Sequence, residues 1–156
     1  MDELAHSRDH CIEVQLPFLQ YIQKEIKIVP IILINQGKSM CKKLGMGIYD
    51  SIKKRNTIPI ASSDLTHYEP NTQAYEKDKL LISAILDLDI EKFYSILISF
   101  NVTACGYGAI ATVMEISKKM GATKGKLLKY ATSGDVAGDN KSCLLYTSPS
   151  PRDAHE

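Results

Sequence analysis

Seven consecutive residues, Ser62-Ser63-Asp64-Leu65-Thr66-His67-Tyr68, carry the densest chemistry in the chain. They follow the short β-branched run 57–61 (TIPIA) and so stand at the carboxyl end of a predicted strand, where open α/β folds place their sites. Asp64 and His67 are three residues apart and share one side if the chain turns helically there. A carboxylate beside an imidazole fixes its tautomer and raises its basicity, which serves both general acid–base catalysis and metal ligation. The same residues also suit a plainer use, in which Ser63 or Asp64 caps the turn and His67 packs in a loop.

Two further places combine suitable types and spacing. His10 and Glu13 form an i, i+3 pair, with His6 four residues before His10, and one helical face could offer such a pair to a metal or could simply cap a helix start. Cys105 precedes Gly106-Tyr107-Gly108 at a predicted helix N-terminus, where amide groups and the helix dipole favour a thiolate, the form that binds metal or attacks as a nucleophile. The glycines would let a ligand or another backbone come close. GYG is too short for a phosphate loop, and no Lys-Ser/Thr follows at Walker spacing. Cys11 and Cys41 read as packing residues.

The elements that must position these groups follow from apolar spacing. Ile12, Leu16 and Leu19 predict a short amphipathic helix, with Pro17 implying an early break or kink. Residues 26–34 (IKIVPIILI) read as a strand buried on both faces, although Pro30 removes a ladder donor. Residues 37–55 predict a helix with Met40, Leu44, Ile48 and Ile52 inward, and 57–61 a second strand. Helices follow over 72–86, over 90–100 with Phe93, Leu97 and Phe100 inward, and from Gly106 to a C-cap at Gly121. A third strand covers 126–132, followed by a polar glycine-bearing turn, SGDVAGDN. Strands separated by long helices predict an α/β sandwich, a central parallel or mixed sheet flanked by helices.

Composition bounds the function classes. At 156 residues, 44% hydrophobic and 24% charged, the chain suits one ordinary globular domain. The formal charge of +1 carries no basic face, so nucleic acid is not an expected partner. The longest apolar run is far below the ~20 residues of a membrane helix, so no membrane span is expected. Met1 leads into Asp2 and Glu3 rather than a signal peptide, and four cysteines without a CxxC pair fit reduced thiols, so the expected location is cytoplasmic. Residues 143–153 (CLLYTSPSPRD) admit a back-translation that reproduces a sequencing-adapter string, so 143–156 is expected to be a non-native tail. The N-terminus opens abruptly into a helical pattern, as an internal start within a longer gene would.

Together these segments resemble the Memo family, in the prokaryotic branch called AmmeMemoRadiSam system protein B. Residues 10–19 (HCIEVQLPFL) are similar to its EHSxEVQLPFL signature, with Asp9 in place of Glu and Cys11 in place of Ser. Residues 62–68 resemble SSDxSHY, residues 105–110 resemble CGYGPI with Ala109 where proline is usual, and KYATSGD (129–135) also fits. The resemblance covers residues 1–142 and implies the C-terminal part of a single α/β domain with the fold of class III extradiol dioxygenases, its N-terminal strands missing. It implies that Cys105 is a metal ligand, that His67 and Asp64 line the same cleft in acid–base and orienting roles, and that His10 lies nearby as a further metal-site residue. The family's PHAGY-like and GPxH-like segments, which carry two upstream histidine ligands, do not occur in this chain.

Two readings of the parent protein stand side by side. In one it is a metal-dependent oxidoreductase relative using iron or copper, inactive as this fragment because the ligand set is incomplete. In the other a vestigial cleft captures a peptide or partner protein without catalysis, through Tyr68, Tyr107 and the cleft backbone. The family's prokaryotic name implies a radical-SAM protein and an AMMECR-like protein as partners.

Overall fold

The computed structural model describes residue 6, residues 10–137 and residues 143–144. The chain divides into two compact units, residues 1–34 with 147–156, and residues 35–146.

In the first unit a single 3-10 turn, Glu13–Gln15, runs into helix α1, Leu16–Ile22. Pro17 falls in the first helical turn, where its missing N–H has no intrahelical acceptor to lose, so it starts the helix rather than breaking it. Residues 26–34 form neither helix nor strand, with a bend at Ile34, and Val29 and Ile34 are strongly exposed. The expected buried strand is therefore not formed among the described residues. Cys11 is exposed rather than a packing residue.

The second unit is mainly helical. It contains α2 (Lys38–Ile52), β1 (His67–Glu69), α3 (Asn71–Leu86), α4 (Ile90–Ser99), α5 (Tyr107–Lys119), α6 (Ser133–Ala137) and β2 (Cys143–Leu144). β1 and β2 form a two-stranded antiparallel pair, His67 opposite Leu144 and Glu69 opposite Cys143. The runs 57–61 and 126–132 form neither helix nor strand, so the described residues show helices with one small β element and not a central sheet. Strand character in these runs is local, but a sheet needs a neighbour that supplies the opposite N–H and C=O groups. The expected tail at 143–156 lies outside the described residues except for Cys143–Leu144, and the expected polar turn at 133–140 begins as the short helix α6, its residues 138–140 lying outside the described ones.

The helices close around Leu81, Phe93, Leu97, Ala111, Met114 and Cys41, all buried. Each large side chain among them contributes about 1.5–3 kcal/mol by leaving water. The N-cap of α4 is Asp89, whose carboxylate accepts from the Lys92 N–H at 3.0 Å. Gly121 ends α5 at φ +92°, the left-handed conformation that glycine adopts without strain. The inward face of α2 lies one residue along from the expected one. Cys41 and Gly45 are buried while Met40 is 46% exposed, because α2 lies against α5 at a separation only glycine permits. A Cβ on Gly45 would come within 2.9 Å of the Glu115 Cβ. Phe100, expected inward, is also largely exposed.

Candidate metal centre

The site is assembled from two segments of the second unit: residues 62–67, leading into β1, and residues 103–108, leading into α5. Backbone bonds join them reciprocally. The Cys105 N–H donates to the Asp64 carbonyl at 3.2 Å, and the Asp64 N–H points at the Cys105 Sγ, also at 3.2 Å. The His67 N–H donates to Thr103 Oγ1 at 2.7 Å. This pairing brings one donor atom each from Asp64, His67 and Cys105 within 4.8 Å of one another.

Close packing of backbone explains the glycines. A Cβ on Gly106 would stand 2.6 Å from the Ser62 carbonyl oxygen and 2.8 Å from the Ser63 Cβ. One on Gly108 would meet the Gln36 side chain at 2.8 Å. The first amides of α5 are directed away from the cysteine: Gly106 N–H donates to Ser63 Oγ at 2.8 Å and Gly108 N–H to Gln36 Oε1 at 2.7 Å. Gln36 also donates through Nε2 to the Cys105 carbonyl at 2.9 Å, clamping the loop at both ends. The expected helix-terminal contacts to the sulfur are thus replaced by the Asp64 N–H, with Ser63 Oγ at 3.8 Å.

His67 has a defined orientation. Its Nδ1 lies 2.7 Å from the Leu65 carbonyl, which can only accept, so Nδ1 carries a proton, and in the neutral form of the ring the lone pair is at Nε2. That Nε2 lies 3.9 Å from Asp64 Oδ2. Ring orientation therefore comes from a main-chain carbonyl, and Asp64 stands at the other nitrogen. A lone pair facing a carboxylate, with a sulfur beside them, is an arrangement that a cation joins favourably. The Asp64 and His67 donors suit a shared ion, since bonds of about 2.0–2.3 Å in a tetrahedral shell place ligand atoms about 3.5 Å apart, close to the 3.9 Å between these two. The His67 side chain is 18% exposed and that of Asp64 34%, so the site is shielded but reachable.

His10 belongs to the first unit, where its Nδ1 stands 3.2 Å from Glu13 Oε1 in an exposed i, i+3 pair. Sequence reasoning missed Leu65, whose carbonyl acts without regard to side chain. It also missed Thr103 and Gln36, single polar residues outside any motif.

The chain was compared with known proteins. The family described as Memo-like protein matches residues 1–149, a span that takes in the first residues of the suspected tail. A MEMO1 family protein of Nitrosopumilus maritimus is 54% identical over 147 residues, covering 94% of this chain and 54% of that protein. MEMO1 family proteins of Caldivirga maquilingensis and Sulfolobus acidocaldarius are 45% and 44% identical, covering 94% and 95% of this chain and 53% of each relative. The chain spans about half the length of the curated relatives it matches. With a family match over nearly all its length and relatives at this identity, the chain belongs to the Memo-like protein family.

Proposed function

We propose that Asp64, His67 and Cys105 form a mononuclear metal site in a Memo-type protein, and that iron or copper is the metal. The observation that carries this reading is the convergence of carboxylate, imidazole and thiol within 4.8 Å, with the His67 Nε2 lone pair fixed on the inner side. A mixed sulfur, nitrogen and oxygen set favours a borderline, redox-active ion over magnesium or calcium. Such an ion supplies Lewis acidity and one-electron exchange when bound. The chain's own residues have separable tasks. Cys105 contributes the soft donor, held by the Asp64 amide. His67 contributes a neutral nitrogen whose proton is retained at Nδ1 by Leu65. Asp64 contributes negative charge and a basic oxygen at which a proton could be held.

The proposal uses only these three residues of the second unit. The relation to extradiol dioxygenases and an oxidoreductase role belong to this proposal as the activity of the whole protein, as does the completion of the runs 57–61 and 126–132 into a sheet by the part of the family's length that this chain does not span. Three ligands leave coordination positions open, so the chain alone is expected to bind metal more weakly than the whole protein and to lack activity.

The test is metal content. Full-length protein carrying these residues, purified without chelator, should hold iron or copper near one ion per chain by elemental analysis, and Cys105→Ser should lose most of it. Equal metal in both proteins would remove Cys105 from the site.

One observation favours partner capture as a second reading. Tyr68 sits directly after His67 at φ +56°, a conformation uncommon for a bulky residue, with 73% of its surface exposed. Presenting an aromatic side chain beside the site in this way suits recognition of a protein partner, the radical-SAM and AMMECR-like proteins being the candidates. Binding retained in a His67→Ala, Cys105→Ser double variant but lost in Tyr68→Ala would support it.

A further inference from the structure

Asp78, in the middle of α3, is a carboxyl group with 1% of its surface exposed, and the proposed metal site does not use it. Burying such a group is unfavourable unless its oxygens are fully hydrogen-bonded. Here three donors meet it. Oδ1 accepts from the Thr66 N–H at 3.1 Å and from the Thr66 Oγ1 at 2.6 Å, and Oδ2 accepts from the Tyr130 hydroxyl at 2.8 Å. Thr66 is itself fully buried. Two bonds from one residue to one oxygen fix both the main chain and the side chain of Thr66.

The Thr66 N–H and the Leu65 carbonyl are the two polar ends of a single peptide group. In a trans peptide they point in opposite directions, and no cis bond occurs among the described residues. Asp78 holds the N–H end. The carbonyl end, on the far side of the same plane, accepts the Nδ1–H of His67 at 2.7 Å. Rotation of this peptide would withdraw the acceptor that selects the His67 tautomer. A carboxylate at the N–H end also polarises the peptide, making its carbonyl a better acceptor.

We infer that Asp78 is a positioning residue for His67, acting through the Leu65–Thr66 peptide to keep the proton on Nδ1 and the lone pair on Nε2, facing Asp64. The inference deepens the metal-site reading and rests on it for its purpose, but the orientation itself is a property of the metal-free chain. Outer groups that orient ligating histidines are typically worth 10–100-fold in metal affinity.

The test uses the full chain with 15N-labelled histidine, its His67 signals assigned by a His67→Gln variant. At a pH where the ring is neutral, wild type should show protonated Nδ1 and bare Nε2. Asp78→Ala should give a mixture of tautomers and weaken Co(II) binding by 10–100-fold, whereas Asp78→Asn, which keeps an acceptor oxygen for Thr66, should restore both. Tyr130→Phe removes the bond to the other oxygen and leaves the Leu65–Thr66 peptide held, so it should lower stability without changing the tautomer. If Asp78→Ala does not fold, Asp78→Leu, which fills the same space without an acceptor for the Thr66 N–H, replaces it and should shift the tautomer in the same direction. An unchanged His67 tautomer in the folded variant overturns the inference. A tautomer shift in a chain whose wild type binds no Co(II) supports the inference and counts against the metal-site reading instead.

Discussion

Asp64 and Cys105 hold each other through their main chains: each N–H is spent on the other residue, one on a carbonyl oxygen and one on the sulfur, both at 3.2 Å. The thiol is therefore placed by the pairing of two backbone segments, not by the helix that follows it. Its position should be sensitive to anything that spreads the segments and insensitive to changes further along α5.

Gly106→Ala spreads them. The added methyl would meet the Ser62 carbonyl oxygen at 2.6 Å and the Ser63 Cβ at 2.8 Å, and the carbonyl cannot rotate away without breaking the pairing. Overpacking of this kind typically destabilises by about 1–3 kcal/mol. Urea unfolding should show that loss, and amide exchange at Cys105, whose N–H donates to the Asp64 carbonyl, should accelerate as the two segments part. Wild-type values for both would mean that the segments are not tightly joined in solution.

Thr103→Val addresses the other side of the site. Thr103 Oγ1 accepts the His67 N–H at 2.7 Å and returns a longer bond to the His67 carbonyl at 3.4 Å. An isosteric apolar side chain leaves that N–H without its acceptor, a loss of about 1–3 kcal/mol. Amide exchange at His67 should accelerate in step with the drop in stability, while exchange in α4 follows only the global change.

Much of this arrangement was readable from residue order. The spacing of Phe93 and Leu97 marks α4, and Gly121 ends α5 where a left-handed residue is needed. Asp64 with His67 and Cys105 stood out as two separate motifs, and only the family resemblance placed them in one cleft. Asp78 did not, because it lies in the run Glu76-Lys77-Asp78-Lys79, which reads as a solvated helix face. Only the fold shows that this one carboxyl points inward to Thr66 and Tyr130. The strands expected at 57–61 and 126–132 are not formed among the described residues, since a ladder depends on partners distant in sequence that local residue types do not supply.

Acid should loosen the join between α2 and α4. Glu91, at the start of α4, accepts from Lys42 at 2.8 Å and also from Lys38, and these two ammonium groups hold its carboxyl down at about 2. The folded value lies below the unfolded one of 4.5, so the contribution is complete above that pH and is lost as pH falls toward 2. The pair is exposed, so the effect should be small and screened by salt. At low ionic strength Glu91→Gln should be less stable than wild type at pH 6 and indistinguishable from it at pH 2. A difference that persists at pH 2 would assign the effect to packing.

The runs 57–61 and 126–132 make the last prediction. Ile58 and Ile60 are 80% and 56% exposed, and Leu127 and Leu128 are 48% and 88% exposed. β-branched and aliphatic residues outside helix and strand, with apolar side chains facing water, are a template for strand pairing. A chain spanning 54% of its Nitrosopumilus relative leaves nearly half of that protein's length to supply the missing neighbours. The 156-residue chain should therefore self-associate at micromolar concentration, seen as a concentration-dependent mass by light scattering. In a full-length relative the amides of the segments aligned with 57–61 and 126–132 should exchange slowly, as ladder amides do. Fast exchange there, in a protein whose helices are protected, would show that these runs are loops in the family as well, and the sheet would have to be built elsewhere.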